Sequence, residues 1–262
     1  MLLHRNDVRP PSSGAVAEMR WSGMSVLTRA AQILDALAES SSGLSVRELA
    51  EATGLPKSSV HRIIQELALS QYVMDGGRGG SYQLGPGLLK LGLNNRRQFV
   101  APMRKAIATV AREVNENIDL AMLSGGELVI VEQIATVRSL PTVTVVGRTF
   151  ALHASSIGKA LLSQLPPDQV RNMLPVDLEV FTPNTITDVT ALLSELDDVR
   201  RTGLAFDHEE HDVGISSVAV PLPHPAAIPQ AMAIVAPSPR FAERKTKYIA
   251  ALRSLTKRAD SA

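Results

Sequence analysis

The stretch GLPKSSVHRIIQEL, from Gly54 to Leu67, combines a turn signal with a short amphipathic helix. Gly54 suits the left-handed end of one helix, and Pro56 suits the first turn of the next, where its missing N–H costs nothing. The residues that recur at helical spacing on the apolar side are Val60, Ile63, Ile64 and Leu67. The opposite side is small, polar and basic. The stretch therefore predicts a turn followed by a helix with one buried face.

The residues before this stretch complete a two-helix pattern. Apolar side chains at positions i, i+3, i+4 and i+7 predict a helix over Ser25–Ala38. Ser45 and Glu48 then form a capping-box pattern that begins a second helix, which ends at Gly54. Two short helices joined by a tight glycine turn are typical of a helix-turn-helix, whose second helix enters the major groove of DNA.

A predicted β-hairpin follows the helices. Tyr72–Met74 and Tyr82–Leu84 alternate in polarity and flank the glycine-rich tip DGGRGG, where glycines can adopt positive φ. A hairpin in this position indicates a winged helix-turn-helix. Arg78 lies at the tip, from which it could reach the DNA backbone or minor groove.

Basic and hydroxyl side chains on the polar face of this domain are candidates for DNA contact. Lysine and arginine neutralise phosphates or read guanine edges, and serine hydroxyls donate to phosphate oxygens. Exposed basic residues on an amphipathic helix are also commonly just solvated, and a winged domain can serve protein contacts instead. The candidates are Arg29, Arg47, Lys57, Ser58, Ser59, His61, Arg62 and Arg78.

The second part of the chain has a mixed pattern. Leu88–Asn95 is predicted as a linker helix and Pro102–Asn115 as the next helix. Strands are predicted from Ile118 around a Ser-Gly-Gly turn, and again in TVTVVG, GLAFDHEEHDVGISSVAVPLP and QAMAIVA. Helices are predicted in SSIGKALLSQL, over Val189–Arg200 and over Glu243–Arg258. Together these elements indicate an α+β protein.

The composition sets limits on function. The 262 residues include no cysteine, which excludes disulfides, thiolate metal sites and cysteine nucleophiles. The formal net charge of +1 neither demands nor excludes nucleic acid, because a basic patch can exist within a balanced total. The chain contains no apolar run long enough to span a membrane, and its first residues lack the apolar stretch of a secretory signal. We therefore expect a cytoplasmic protein that makes no membrane contact.

The acidic motif DHEEHD, from Asp207 to Asp212, contains residue types that can form a catalytic or metal site. His208 and His211 are three residues apart, and in an extended Leu204–Val213 segment they would point to opposite sides. An exposed acidic loop is the more common interpretation of the carboxylates. The serines show no nucleophile elbow. We therefore expect that the protein is not an enzyme and binds no metal or cofactor. The alternative hypothesis is a metabolic enzyme with an accessory DNA-binding domain.

Three blocks of the sequence resemble the IclR family of transcriptional regulators. They are the helix-turn-helix region from LTRAAQILDAL to ALSQYV, GRTFALHASSIGKALLSQL (Gly147–Leu165), and GLAFDHEEHDVGISSVAVPL (Gly203–Leu222). The likeness runs in order from about Ser25 to Leu255. It implies a winged-helix domain, a linker helix and a GAF-like α/β effector-binding domain. It also implies dimers or tetramers that bind double-stranded operator DNA and respond to a small metabolite.

The resemblance also implies where an effector binds. Matched by position, the contacts come from the loop before GKALL, from the signature strands and from the strand that follows them. The implied residues are Leu140, Val143, Ser156, Ile157, Asp207, Ile215, Ser217 and Val235. Residues of the type of Leu140, Val143, Ile157 and Ile215 are more often plain core residues than ligand contacts.

The chain departs from the family at the implied site. Ser217 stands where the family often has cysteine, and Val235 and Pro237 replace two serine hydroxyls. Fewer hydroxyl donors favour a larger or more apolar organic acid than a small polar one. Lys159, next to the site, is expected as a surface residue or a helix-end charge.

The predicted organisation has four parts: a mobile N-terminal arm (1–24), the winged helix-turn-helix domain (25–85), the linker helix (86–100) and the effector-binding and oligomerisation domain (101–262). The predicted function is a ligand-responsive DNA-binding regulator. Besides the regulator and the enzyme with an accessory DNA-binding domain, the third hypothesis is a module that binds only other proteins.

Overall fold

The structure, a computed structural model, describes residues 25–77, 80–135, 146–147, 149–222 and 228–259. The predicted arm 1–24, Arg78, Leu140 and Val143 lie outside these ranges, as does most of the predicted strand TVTVVG. The chain divides into two compact units, Met1–Arg97 and Gln98–Ala262, and each is described by itself.

The first unit begins with three helices, α1 (Val26–Ala38), α2 (Val46–Thr53) and α3 (Lys57–Leu69). The capping box predicted for α2 is confirmed: the Ser45 hydroxyl accepts from the Glu48 N–H, and the Glu48 carboxylate accepts from the Ser45 N–H at 2.7 Å. Gly54 ends α2 with a φ of 65°, in the left-handed conformation that its sequence position predicts. The turn and α3 therefore follow from local sequence.

A small sheet and an apolar core complete this unit. The strands β1 (Leu44–Ser45), β2 (Val73–Asp75) and β3 (Ser81–Leu84) pair in the antiparallel order β1-β3-β2. The hairpin of β2 and β3 is the predicted wing, whereas β1 was not predicted because two residues carry no periodicity. The core between helices and sheet is aliphatic and consists of Ile33, Leu37, Leu49, Leu55, Val60, Ile63, Ile64 and Val73.

The helix α4 (Pro86–Phe99) follows the hairpin and is longer than the predicted Leu88–Asn95. It leaves three large apolar side chains exposed in the single chain: Leu89 (65%), Leu91 (50%) and Leu93 (53%). Leu89 and Leu93 lie one turn apart on the same side of α4, whereas Leu91 lies on another side. Because burying a leucine is worth about 1.5–3 kcal/mol, these leucines are a costly surface for an isolated chain.

The second unit is built on a six-stranded antiparallel sheet in the order β6-β5-β4-β9-β8-β7. Its strands are β4 (Asn117–Ser124), β5 (Glu127–Ile134), β6 (Thr149–Phe150), β7 (Ala205–His208), β8 (Ile215–Leu222) and β9 (Gln230–Pro237). Its helices are α5 (Ala101–Val114), α6 (Ser156–Leu162), α7 (Pro167–Met173), α8 (Val189–Thr202) and α9 (Ser238–Ala259). None of the helices in the described ranges is both long and apolar enough to cross a membrane.

The two faces of this sheet differ in side-chain size. One face carries large residues such as Ile118, Val220 and Ile234, which pack against α5 and α9. The other face is rich in alanine, including Ala219 and Ala233, and packs against α6. Because the alanines occupy little volume, α6 lies close to the sheet. The helices α7 and α8 then pack on α6 through a separate apolar cluster.

An ion pair joins the large-residue face to α9. The Glu116 carboxylate, 1% exposed, accepts two hydrogen bonds from the Arg240 guanidinium, at 2.7 and 2.9 Å. The Tyr248 hydroxyl donates to the same carboxylate at 2.9 Å. Its partners compensate the cost of burying Glu116, so this cluster is structural.

Candidate functional site

The helix α3 separates its predicted apolar and polar faces. Val60, Ile63 and Ile64 are at most 3% exposed and belong to the core of the first unit. The polar candidates Lys57, Ser58, His61 and Arg62 are exposed, and Ser59 is half-buried. A row of donors on the outer face of the second helix of a helix-turn-helix is the arrangement that contacts base edges and phosphates.

Gln65 is an additional polar residue on this face that was not singled out from the sequence. Its side-chain Nε2 lies 3.1 Å from Nε2 of His61, one turn earlier on α3. The amide nitrogen can only donate, so this contact is a hydrogen bond in the tautomer of His61 whose Nε2 is unprotonated. The spacing i, i+4 on an exposed helix face was the available signal.

Two other candidates are engaged within the chain. Arg29 on α1 is half-buried. The Arg47 Nε donates to the Glu51 carboxylate at 2.9 Å, and both side chains are largely exposed. Exposed ion pairs of this kind contribute little stability.

The effector candidates of the second unit meet on the small-residue face of the sheet. Val235 pairs with Ser217, and Ser217 pairs with Asp207, across β9, β8 and β7. The Ser217 hydroxyl donates to the Asp207 carboxylate at 3.3 Å. The hydroxyls of Ser156 on α6 and Ser217 lie 2.6 Å apart. Three residues that are distant in sequence thus form one buried polar chain.

The start of α6 is held close to the chain that precedes it. Ser155 is the N-cap, and its hydroxyl accepts from the Gly158 N–H at 3.2 Å. A Cβ at Gly158 would lie 2.3 Å from the Leu152 carbonyl oxygen, so only glycine fits there. Ile157 packs in the apolar cluster under α6, to which Val235 also contributes. Ile215 is half-buried and pairs with Pro237.

Lys159 is fully buried, so the expectation of a surface residue is wrong. The alternative of a charge near a helix end is confirmed, because Lys159 lies in the last turn of α6. Its ammonium donates to both carboxylate oxygens of Glu210, at 2.7 and 2.8 Å, and to Glu195 on α8 at 2.6 Å. The short α6 lies between the sheet and α8, and together they bury the lysine side chain completely. Sequence spacing carries no sign of this triad, because Glu195 and Glu210 come from distant segments.

The loop after β7 is compact and anchored. The strand ends at His208, and Glu209 has a φ of 58°, so the predicted extended segment to Val213 is wrong. The Thr182 hydroxyl donates to the Glu209 carbonyl and the Thr185 hydroxyl to the Glu210 carbonyl, each at 2.6 Å. The Glu210 N–H donates to the Asp207 carboxylate at 2.8 Å.

The carboxylates of this loop are not uniformly exposed. Asp207 is 5% exposed and Glu210 is 6% exposed, so the interpretation of an exposed acidic loop is wrong for both. Burial raises the pKa of Asp207 to about 6, and the neighbouring Glu210 charge adds to the rise, while the Glu210 N–H and Lys159 oppose it. Burial also raises the pKa of Glu210, against the opposing effect of Lys159.

An aromatic group lies beside this loop. The rings of Phe181 and His211 stack with centroids 4.7 Å apart and planes inclined by 18°. The Phe150 ring is 5.5 Å from His211. Phe150 and Val235 both pack against the apolar cluster under α6, so an apolar wall adjoins the polar chain. These contacts were not predicted, since they join three separate segments.

The two histidines of DHEEHD belong to different surroundings. His208 stacks on Phe206 and lies near Phe241, whereas His211 contacts Phe181 and bonds Asp212. Within the part of the chain that the structure describes, no three histidine or acidic side chains are grouped to hold a metal ion.

A helix-turn-helix with a donor-lined second helix defines a DNA-binding protein, here combined with an α/β domain that contains a buried polar site. The model of the IclR helix-turn-helix domain matches residues 26–74, and that of the bacterial transcriptional regulator IclR C-terminal domain matches residues 94–260. The chain therefore belongs to the IclR family of transcriptional regulators.

Curated relatives match over most of the chain. An HTH-type transcriptional regulator of Mycobacterium tuberculosis is 34% identical over 244 residues, which cover 93% of this chain and 94% of the relative. The HTH-type transcriptional regulator TtgV of Pseudomonas putida is 33% identical over 222 residues, 85% of each chain.

Solved structures share the fold. An IclR transcriptional regulator from Silicibacter sp. TM1040 superposes with a TM-score of 0.80 at 27% identity, covering 90% of this chain and 96% of that one. An IclR homolog from Microbacterium hydrocarbonoxydans, complexed with 4-hydroxybenzoate, gives a TM-score of 0.72 at 23% identity, covering 91% and 100%.

Proposed function

We propose that residues 25–85 bind operator DNA, that 86–100 form the linker helix, and that 101–262 bind a small organic acid and support oligomerisation. Effector binding in the second unit alters operator affinity because the effector binds the DNA-competent and DNA-incompetent states unequally. The observation that carries this proposal is the buried chain of Ser156, Ser217 and Asp207, beside the apolar wall.

The polar chain supports a binding role for the second unit. Buried hydroxyl and carboxyl groups are costly unless they are paired, and a ligand that enters such a site exchanges these hydrogen bonds for its own. The hydroxyls of Ser156 and Ser217 bond each other, and Ser217 also bonds Asp207. We infer that the site acts by binding and not by catalysis.

The apolar surroundings support a larger or more apolar acid as the effector. Val235 and Pro237 bring no hydroxyl to the face that Ser217 occupies, and Phe150 lies close by. A ring or a branched chain would gain apolar contact there, whereas a two- or three-carbon oxoacid would leave that wall uncovered.

The DNA-binding unit is expected to act as a pair. The exposed leucines of α4 suit a second copy of the same helix, and two recognition helices related by two-fold symmetry would read two operator half-sites. A tetramer formed from two such dimers is the further assembly that we propose.

A gel-shift titration against the DNA upstream of the protein's own gene, at several salt concentrations, tests the regulator. Selective binding that weakens with salt is expected, because phosphate contacts release counterions. Calorimetry with benzoate, 4-hydroxybenzoate, pyruvate and glyoxylate then tests the effector class. Tight binding of only the two small oxoacids would contradict it.

A further inference from the structure

The polar groups around α6 form a closed circuit. Ser156 bonds Ser217, Ser217 bonds Asp207, and Asp207 accepts the N–H of Glu210. The Glu210 carboxylate accepts two hydrogen bonds from Lys159, which lies one turn after Ser156 on α6. The circuit therefore begins and ends on the same short helix.

The Lys159 ammonium has no donor left over within this arrangement. Its three N–H groups match three short contacts, two to Glu210 and one to Glu195. A fully buried lysine is costly, and an ion pair of this kind rarely adds net stability over an apolar replacement. A contribution to stability is therefore a weak explanation for the presence of a lysine at this buried position.

We propose that Lys159 is a positioning residue of the effector site. It holds the Glu210 side chain, which places the Glu210 N–H on the Asp207 carboxylate, and its own helix presents the Ser156 hydroxyl to Ser217. This inference rests on the proposed function, because it assigns Lys159 to the same site. Glu195 extends the connection to α8, so a change at the site reaches the outer helical layer.

The electrostatic consequence falls on Asp207. The groups that act on it are the Ser217 hydroxyl on β8, the Glu210 N–H and carboxylate in the loop, and the Lys159 ammonium on α6. The ammonium favours the ionised carboxylate and the Glu210 charge disfavours it. Removing either charge must therefore move the Asp207 titration, in opposite directions.

The test is a pH titration of Asp207 in the full chain. NMR of aspartate labelled with ¹³C at the carboxyl group monitors the titration, and the Asp207→Asn variant identifies the Asp207 signal. Lys159→Met is expected to move the Asp207 midpoint to higher pH, and Glu210→Gln to lower pH. General loosening of the site does not predict shifts of opposite sign. A folded Lys159→Met protein with an unchanged midpoint would overturn the inference.

Two further variants sharpen the result. Arg201→Met removes an exposed guanidinium on α8 that bonds Asp198, so it should leave the midpoint unchanged. Lys159→Arg, which keeps the charge, should restore most of the wild-type midpoint. If Lys159→Met does not fold, Glu210→Gln decides alone, and an upward shift or no shift contradicts the inference.

The second readout is calorimetry with the tightest of the four probe acids named above. Lys159→Met should weaken binding of the acid by about tenfold or more. This is the factor expected if a misplaced Asp207 costs the acid one hydrogen bond to a charged group. If none of the four acids binds the wild type, the proposed effector class fails, while the Asp207 titration still decides the position of Lys159.

Discussion

The hydroxyl of Ser156 on α6 lies 2.6 Å from the hydroxyl of Ser217 on β8, although 61 positions of sequence separate them. The contact exists because α6 lies directly on a sheet face of small side chains and because Gly158 lets its backbone approach Leu152. The position of α6 therefore controls the geometry of the candidate effector site.

Gly158→Ala should displace α6. The added Cβ would meet the Leu152 carbonyl oxygen at 2.3 Å, and overpacking of this kind costs about 1–3 kcal/mol of the free energy of unfolding. Urea unfolding followed by circular dichroism measures the loss. Ser194→Ala, on the exposed face of α8, is the control and should be neutral or stabilising. Equal stability of the two variants would contradict the close contact.

Arg62→Ala should weaken operator binding by about 1–3 kcal/mol if the guanidinium reads a base, or reduce the salt dependence by about one counterion if it contacts a phosphate. Arg62 is exposed on the polar face of α3. Gel-shift titrations at three salt concentrations distinguish the two cases. Arg201→Ala, an exposed arginine on α8, should bind like the wild type. Unchanged affinity and salt slope for Arg62→Ala would remove Arg62 from the DNA-binding surface.

Leu93→Glu should shift the protein toward smaller assemblies. Leu93 and Leu89 lie one turn apart on α4, and a carboxylate placed in a helix pair between two copies would be buried without a partner. Light scattering after size-exclusion chromatography measures the molecular mass. Val176→Glu is the control, because Val176 is 95% exposed in a loop after α7, away from α4 in the sequence. A mass equal to that of the wild type would argue against pairing through α4.

Asp207→Asn should change how stability depends on pH. The ordinary pKa of 3.8 rises to about 6 on folding, so between these values the native state holds more protons than the unfolded state. Stability in the wild type therefore falls as pH rises from about 4 to 6, by about 3 kcal/mol in total, and then levels off. The asparagine variant lacks this loss.

The measurement is urea unfolding of wild type and Asp207→Asn at pH 4.5, 6 and 8. The free energy of unfolding of the variant minus that of the wild type should increase between pH 4.5 and pH 6 and change little between pH 6 and pH 8. A difference that is constant across the three pH values would show that Asp207 titrates normally.

The three helices and the hairpin of the first unit were predictable because their signals are local. Ser45, Glu48, Gly54 and Pro56 act within a few residues of themselves, and the apolar stripe of α3 is visible as a period. The resemblance to a family placed Ser156, Ser217 and Asp207, which the structure joins.

The environment of these residues was not predictable in the same way. A lysine on a seven-residue helix looks exposed until the sheet and α8 enclose it, and Glu195 and Glu210 reach it from separate segments. The stacking of Phe181 on His211 likewise depends on two loops that meet only in the folded chain. Burial and long-range pairing leave no periodic trace in a single sequence.

The strand order of the second unit also has a consequence for biosynthesis. The central strand β4 pairs with β9, where Asn117 lies opposite Val235. The hydrogen bonds between these two strands can therefore form only after nearly the whole chain has been synthesised. The first unit has its own core and ends at Arg97, so a ribosome releases all of it long before β9 appears. Folding during translation is thus expected to complete the DNA-binding unit early, and to leave the sensing unit open until the last strand and helix emerge.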